Sequence, residues 1–118
     1  MADETELQGA GLLYMVRSWV DPELGQPYLD WLEAKHMAEV CAEPGFLWAR
    51  KVELDQTDCS GWKGYLLIYG VAGRAALDAY MKSPARDGFW RELEAFEDIH
   101  YSERFYGAMD FAAAKPSA

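Results

Sequence analysis

The sequence predicts an α+β fold: a four-stranded antiparallel sheet with its helices on one face, connected in the order βαββαβ. Three observations predict it. Four stretches are rich in the aliphatic and aromatic residues that suit strands. Two longer stretches between them repeat their apolar residues at helical spacing. The order in which the two kinds alternate is that of the split βαβ arrangement. A chain of 118 residues is long enough for one such domain and too short for two ordinary ones.

Taken in order, residues 1–10 and 110–118 are expected to be flexible tails around a domain at 11–109. GLLYMVRSWV, residues 11–20, is apolar on both parities, as a strand covered on both faces would be. Asp21-Pro22 stops it. The first helix starts near Gly25, admits Pro27 in its first turn and is ended by Glu43-Pro44-Gly45. Within it, YLDWLEAKHMAEV places Leu29, Leu32, His36 and Val40 on one stripe, so a histidine sits in the middle of an apolar face.

FLWARKVEL, residues 46–54, is the second strand, with Phe46, Trp48, Val52 and Leu54 on one parity and Lys51 and Glu53 on the other. DQTDCSG turns the chain, and WKGYLLIYGV, residues 62–71, is a third strand, again apolar on both faces. From Gly73 to about Phe96 the pattern is helical, with a break at Ser83-Pro84. DIHYSERFYGAM, residues 98–109, closes the chain as a fourth strand, its more polar side carrying Asp98, His100, Ser102, Arg104 and Tyr106. Helices on one face would leave the other bare, so strands that are apolar on both faces imply a second subunit and a homodimer.

Composition excludes several functions. A net charge of −9 opposes binding to a polyanion, so nucleic acid is not an expected partner. No apolar run is long enough to span a membrane, and the acidic start MADETELQG lacks the basic and then apolar character of a signal peptide, which predicts a cytoplasmic protein. Cys41 and Cys59 lack the spacing of a metal or redox pair. Dinucleotide, P-loop, nucleophile-elbow and zinc-protease motifs are absent, and neither a metal nor a cofactor is expected.

On element order, on WLEAKHMAEV followed by PGFLWARKVEL, and on a terminal strand ending in an aromatic, residues 11–109 resemble the ferredoxin-like dimeric α/β-barrel superfamily. Its members include EthD-like proteins, muconolactone isomerases, polyketide cyclases and cofactor-free monooxygenases. The chain is most similar to a subfamily whose first helix carries a Trp, a His with an apolar residue after it, and then Glu-Val, here Trp31, His36, Met37, Glu39 and Val40. The resemblance implies two sheets packed face to face and, as in several branches, an acid/base group between helix and sheet.

His36 is the leading candidate for that group, because an imidazole on a semi-apolar wall can take or give a proton near neutral pH. The structural alternative is a core histidine with its hydrogen bonds satisfied. Arg50 and Tyr65 are candidates to steady developing negative charge. For Arg17 and Arg50, an ion pair with a carboxylate such as Glu53 or Glu103 is the competing role. Tyr14, Trp48, Leu32, Val40 and His100 are candidate substrate contacts, the aromatics offering flat surfaces to an aromatic ligand. For His100 the competing role, and the better supported one, is a solvated or interface residue.

The function this predicts is proton transfer next to a carbonyl or phenol of a hydrophobic, aromatic substrate, as in a cofactor-independent isomerase, cyclase or lyase. A cofactor-free monooxygenase is a variant of the same chemistry. The alternative from another class is a non-catalytic homodimer that binds a hydrophobic metabolite or supports a partner enzyme.

Overall fold

The structure, a computed structural model, describes residues 9–116. Strand β1 (Leu12–Val20) leads into helix α1, which is built from an α-helical start (Gln26–Trp31), a π-helical turn (Leu32–His36) and an α-helical end (Met37–Cys41). Strands β2 (Phe46–Thr57) and β3 (Lys63–Val71) follow, then helices α2 (Arg74–Met81) and α3 (Pro84–Leu93), a short 3-10 turn (Glu94–Phe96) and β4 (His100–Ala108). The strands lie in the order β2-β3-β1-β4, all neighbours antiparallel. The fold is therefore the α+β, ferredoxin-like βαββαβ arrangement.

Local chemistry sets the boundaries. Ser83 caps α3 by accepting from the Arg86 amide at 3.3 Å, and Pro84 fits the first turn, where no amide donor is needed. Gly45 adopts φ +82° after α1, and its carbonyl accepts from the Ala72 amide at 2.7 Å, which ties the start of β2 to the end of β3. The tail expected at residues 1–10 lies outside the described residues except for Gly9 and Ala10, and Ala10 is already buried.

The core fills the space between the helices and one sheet face. Leu12, Tyr14, Val16, Ser18 and Val20 of β1 point into it, and opposite them Val71, Tyr69, Leu67 and Tyr65 of β3 do the same. The other face carries Leu13, Met15, Arg17 and Trp19 beside Leu66 and Ile68, all half-buried.

Three irregularities depart from the ideal periods. Leu47 is an extra residue between the pairs Phe46–Val71 and Trp48–Gly70, so Phe46 points to the helices while Trp48, Arg50 and Val52 point to the opposite face. The shared parity of Phe46 and Trp48 expected from alternation is thus broken by a bulge. The π turn places an additional residue in one turn of α1 and rotates its stripe. Tyr28, Leu32, Met37 and Val40 become the buried residues, with Leu29 and His36 at the margin. Strand β2 also runs on through Asp55–Thr57, where a turn is expected, pairing irregularly with β3.

Candidate active site

Helix α1, the centre of the sheet and α3 enclose a cavity of about 30 Å³, room for about one water. Its sheet wall includes Tyr14 and Tyr69, α1 contributes Leu32, His36 and Val40, and α2 contributes Tyr80. Arg86, Phe89 and Trp90 of α3 and Arg104 of β4 complete it. A second, larger pocket of about 330 Å³ shares Trp90, Leu93 and Arg104 with the first and adds His100, Ser102, Glu94 and Glu97. The space beside His36 is therefore small, and the ligand-sized space lies one layer further out.

His36 stacks on Trp31 with ring centres 4.1 Å apart and meets the edge of Phe89 at 4.9 Å. Trp31 is itself fixed, donating from Nε1 to Glu92 at 3.2 Å, and Glu92 also accepts from Lys35 at 2.7 Å. The Nδ1 atom of His36 is buried and has no hydrogen-bond partner. Burial is the main cause that lowers its pKa to about 4, helped by the positive charges of Arg104 and Lys35 and opposed by Glu92. At neutral pH the ring is uncharged and one nitrogen is a bare acceptor or donor at the cavity.

Tyr14, Tyr69 and Tyr80 form an aromatic cluster, Tyr14 lying 5.7 Å from Tyr69 and 6.2 Å from Tyr80. None of the three hydroxyls has a hydrogen-bond partner among the described residues. Burial, and then their mutual proximity, raises the pKa values of Tyr69 and Tyr80, so both remain neutral donors.

His100 is placed differently. It stacks on Tyr28 at 3.9 Å, and its Nδ1 lies 2.8 Å from the Phe96 carbonyl oxygen, which can only accept. The proton of the neutral ring is thereby assigned to Nδ1, leaving Nε2 as the basic nitrogen. Burial holds its pKa below the usual histidine range, with Arg104 acting in the same direction. The Tyr28 hydroxyl is 2.8 Å from the fully buried Ser18 Oγ, which in turn lies 2.8 Å from Ser102.

The structure brings His36, Tyr14, Leu32 and Val40 to one cavity wall and His100 to the adjoining pocket. It separates the others. Trp48 and Arg50 lie across the sheet, Arg50 over the Trp48 ring at 5.3 Å, because the bulge at Leu47 turns them away from the helices. Tyr65 faces the helices but lies outside the cavity wall, under the Lys51 ammonium at 4.9 Å. Arg17 pairs with Glu103 at 3.1 Å on the far face.

Sequence reasoning missed Arg86, Tyr69, Tyr80 and Arg104 as a group. Only the polar parity of β4 hinted at Arg104, and that parity faces inwards because Arg104 pairs with the inward-pointing Val16. Among the described residues, no group of three potential ligands is arranged to hold a metal ion, and no helix is long and apolar enough to cross a membrane.

Solved structures share this fold. SnoaB, a cofactor-independent oxygenase from Streptomyces nogalater, aligns with TM-score 0.66 at 16% identity over 88% of this chain and 97% of its own. The monooxygenase ActVA-Orf6 of Streptomyces coelicolor, solved with nanaomycin D, aligns with TM-score 0.64 at 18% identity over 93% of this chain and 96% of its own. An EthD family protein from Bacillus halodurans aligns with TM-score 0.61 at 12% identity over 84% and 99%. A comparison with curated proteins finds no match. Residues 11–104 match a sequence family described as a domain of unknown function, DUF4286, and the chain belongs to that family.

Proposed function

We propose that the protein is a cofactor-independent enzyme of small-molecule metabolism that moves a proton next to a carbonyl or phenol of an aromatic substrate. The observation that carries this reading is the buried, unpartnered Nδ1 of His36 at the wall of a cavity that Tyr14, Tyr69 and Tyr80 also line. Buried polar groups without partners cost stability, so a core built only for packing would have satisfied or replaced them.

The substrate ring occupies the outer pocket, beside His100, and its reacting end passes between Trp90 and Arg104 to His36. Neutral His36 takes the proton from the carbon or oxygen, and the electron pair left behind becomes an enolate or phenolate. A tyrosine hydroxyl donates to that oxygen, and the imidazolium returns the proton at the product carbon, completing an isomerisation, cyclisation or cleavage. Cofactor-free oxygenation shares the first step, with molecular oxygen as co-reactant, and the oxygenases that share this fold favour it as the second reading. The uncovered sheet face pairs with that of a second copy, giving a cytoplasmic homodimer.

The test is deuterium incorporation from D2O into aromatic ketones and phenols, followed by NMR under air and under nitrogen. The wild-type protein exchanges an acidic hydrogen, and His36→Phe loses at least about 100-fold in rate with an unchanged thermal midpoint. Exchange that persists in His36→Phe overturns the assignment. Substrate consumption confined to air selects the oxygenase reading.

A further inference from the structure

The cavity contains a feature that proton transfer alone does not use. Arg86 of α3 and Arg104 of β4 both lie over the same indole, that of Trp90, with guanidinium carbons 5.5 and 4.5 Å from the ring centre. The two cations are therefore no farther apart than the sum of those distances. Both are half-buried and both line the inner cavity. In a chain with 20 acidic residues, neither guanidinium has a carboxylate within ion-pair distance among the described residues.

Three other cations are ion-paired. Arg17 meets Glu103, Lys35 meets Glu39 and Glu92, and Lys51 meets Glu33, all at 3.1 Å or less. Two like charges held on one partly desolvated ring repel, and cation–π contact offsets only part of that. An anion between them relieves the repulsion and uses the guanidinium geometry that suits a carboxylate. Its place is also restricted: the outer pocket carries Glu94 and Glu97, whereas no acidic side chain lines the inner cavity.

We propose that the substrate is an aromatic acid whose carboxylate is held between Arg86 and Arg104 beside Trp90, where the inner cavity meets the outer pocket, with its ring against that indole. This rests on the small-molecule site proposed above and adds its substrate class. The overall charge of −9 repels anions, so the two arginines act as a local filter that admits this group while the rest of the surface discourages anionic competitors.

The experiment is calorimetric titration of the whole chain with para-hydroxybenzoate and, separately, with its neutral analogue para-hydroxybenzamide. The acid binds roughly tenfold tighter than the amide or better, and Arg86→Gln and Arg104→Gln each reduce acid binding to the amide level while amide binding stays within about twofold. Arg104→Lys, which keeps the charge and loses the fork, recovers part of the preference. Thermal midpoints confirm that the variants fold, and the amide gives a second check, since it reports on the pocket alone. Equal binding of acid and amide overturns the carboxylate site and leaves the proton-transfer reading standing. A preference for the acid that survives both glutamine variants also overturns it. Binding of neither compound removes the pocket reading and this proposal with it.

Discussion

The two faces of the sheet are covered by different chemistry. Towards the helices, β1 and β3 present Tyr14, Val16, Ser18, Leu67 and Tyr69, all buried, and beside them the buried Nδ1 of His36 has no hydrogen-bond partner. Away from the helices they present Leu13, Met15, Trp19, Leu66 and Ile68, half-buried, with Phe105 and Val52 exposed, and there Arg17 meets Glu103 through one Nη while its buried Nε has no hydrogen-bond partner. Each face has one unpartnered buried nitrogen, but the inner one borders an enclosed cavity and the outer one lies in an uncovered apolar surface. The first suits a small polar-ended molecule, the second a large apolar surface such as another copy of the same sheet.

The largest expected effect tests that second half. Ile68→Asp puts a carboxylate in the middle of the uncovered face, where a homodimer would bury it unpaired. The dimer dissociation constant should rise on the order of 100-fold, measured by sedimentation velocity across micromolar concentrations. If the wild-type chain sediments as a 13.4 kDa monomer throughout, the two faces differ for some reason other than self-association.

The helix-covered face answers to pH. An unfolded histidine titrates near 6.5 and folded His36 near 4, so between those values the unfolded chain binds more protons. Stability is fully present above about 6.5 and is lost as pH falls through about 4, by about 3 kcal/mol at most from this group. His36→Phe keeps a ring on Trp31 and removes the titration. Its urea unfolding free energy should therefore drop less than that of the wild type between about pH 7 and about pH 4.5, with a residual slope from His100, whose pKa is also lowered. Parallel slopes for the two proteins would place His36 in a solvated position and weaken the contrast between the faces.

Much of this division was legible in the sequence, and the exceptions have identifiable causes. Apolar residues on both parities of LLYMVRSWV and YLLIY announced a two-sided sheet, and His36 in WLEAKHMAEV announced an unusual core position. The face of Trp48 and Arg50 was not legible, because one extra residue at Leu47 reverses alternation and nothing in FLWARKVEL marks it. The π turn likewise exchanged Leu29 for Tyr28 as the buried residue. The Arg86–Trp90–Arg104 group depends on α3 folding back over β4, a long-range contact to which local periodicity is blind.

A smaller effect probes how tightly the outer face is built. Gly70 pairs with Trp48, and a methyl group on Gly70 would overlap the indole itself. Gly70→Ala should cost about 1–3 kcal/mol, read from chemical denaturation, because the ring and Arg50 above it must shift together. A neutral result would mean that Trp48 is loosely held and that its face has no fixed shape to present to a partner.

The smallest effect belongs to a buried polar group of the inner face that is hydrogen-bonded on both sides. Ser18 Oγ sits between the Tyr28 hydroxyl and Ser102, 2.8 Å from each, and is wholly inaccessible. Removing it in Ser18→Ala leaves the Tyr28 and Ser102 hydroxyls, each 2.8 Å from Ser18 Oγ, free to turn towards each other. The cost should therefore be about 1 kcal/mol, well below that of an orphaned buried group, with the Tyr28–His100 stack retained. A loss of 3 kcal/mol or more, at the upper limit for an unsatisfied group, would show that the tyrosine cannot turn. In that case the inner face tolerates an unpartnered nitrogen at His36 while Tyr28 is held rigidly a few residues away, which would strengthen the case that His36 Nδ1 is kept for a ligand.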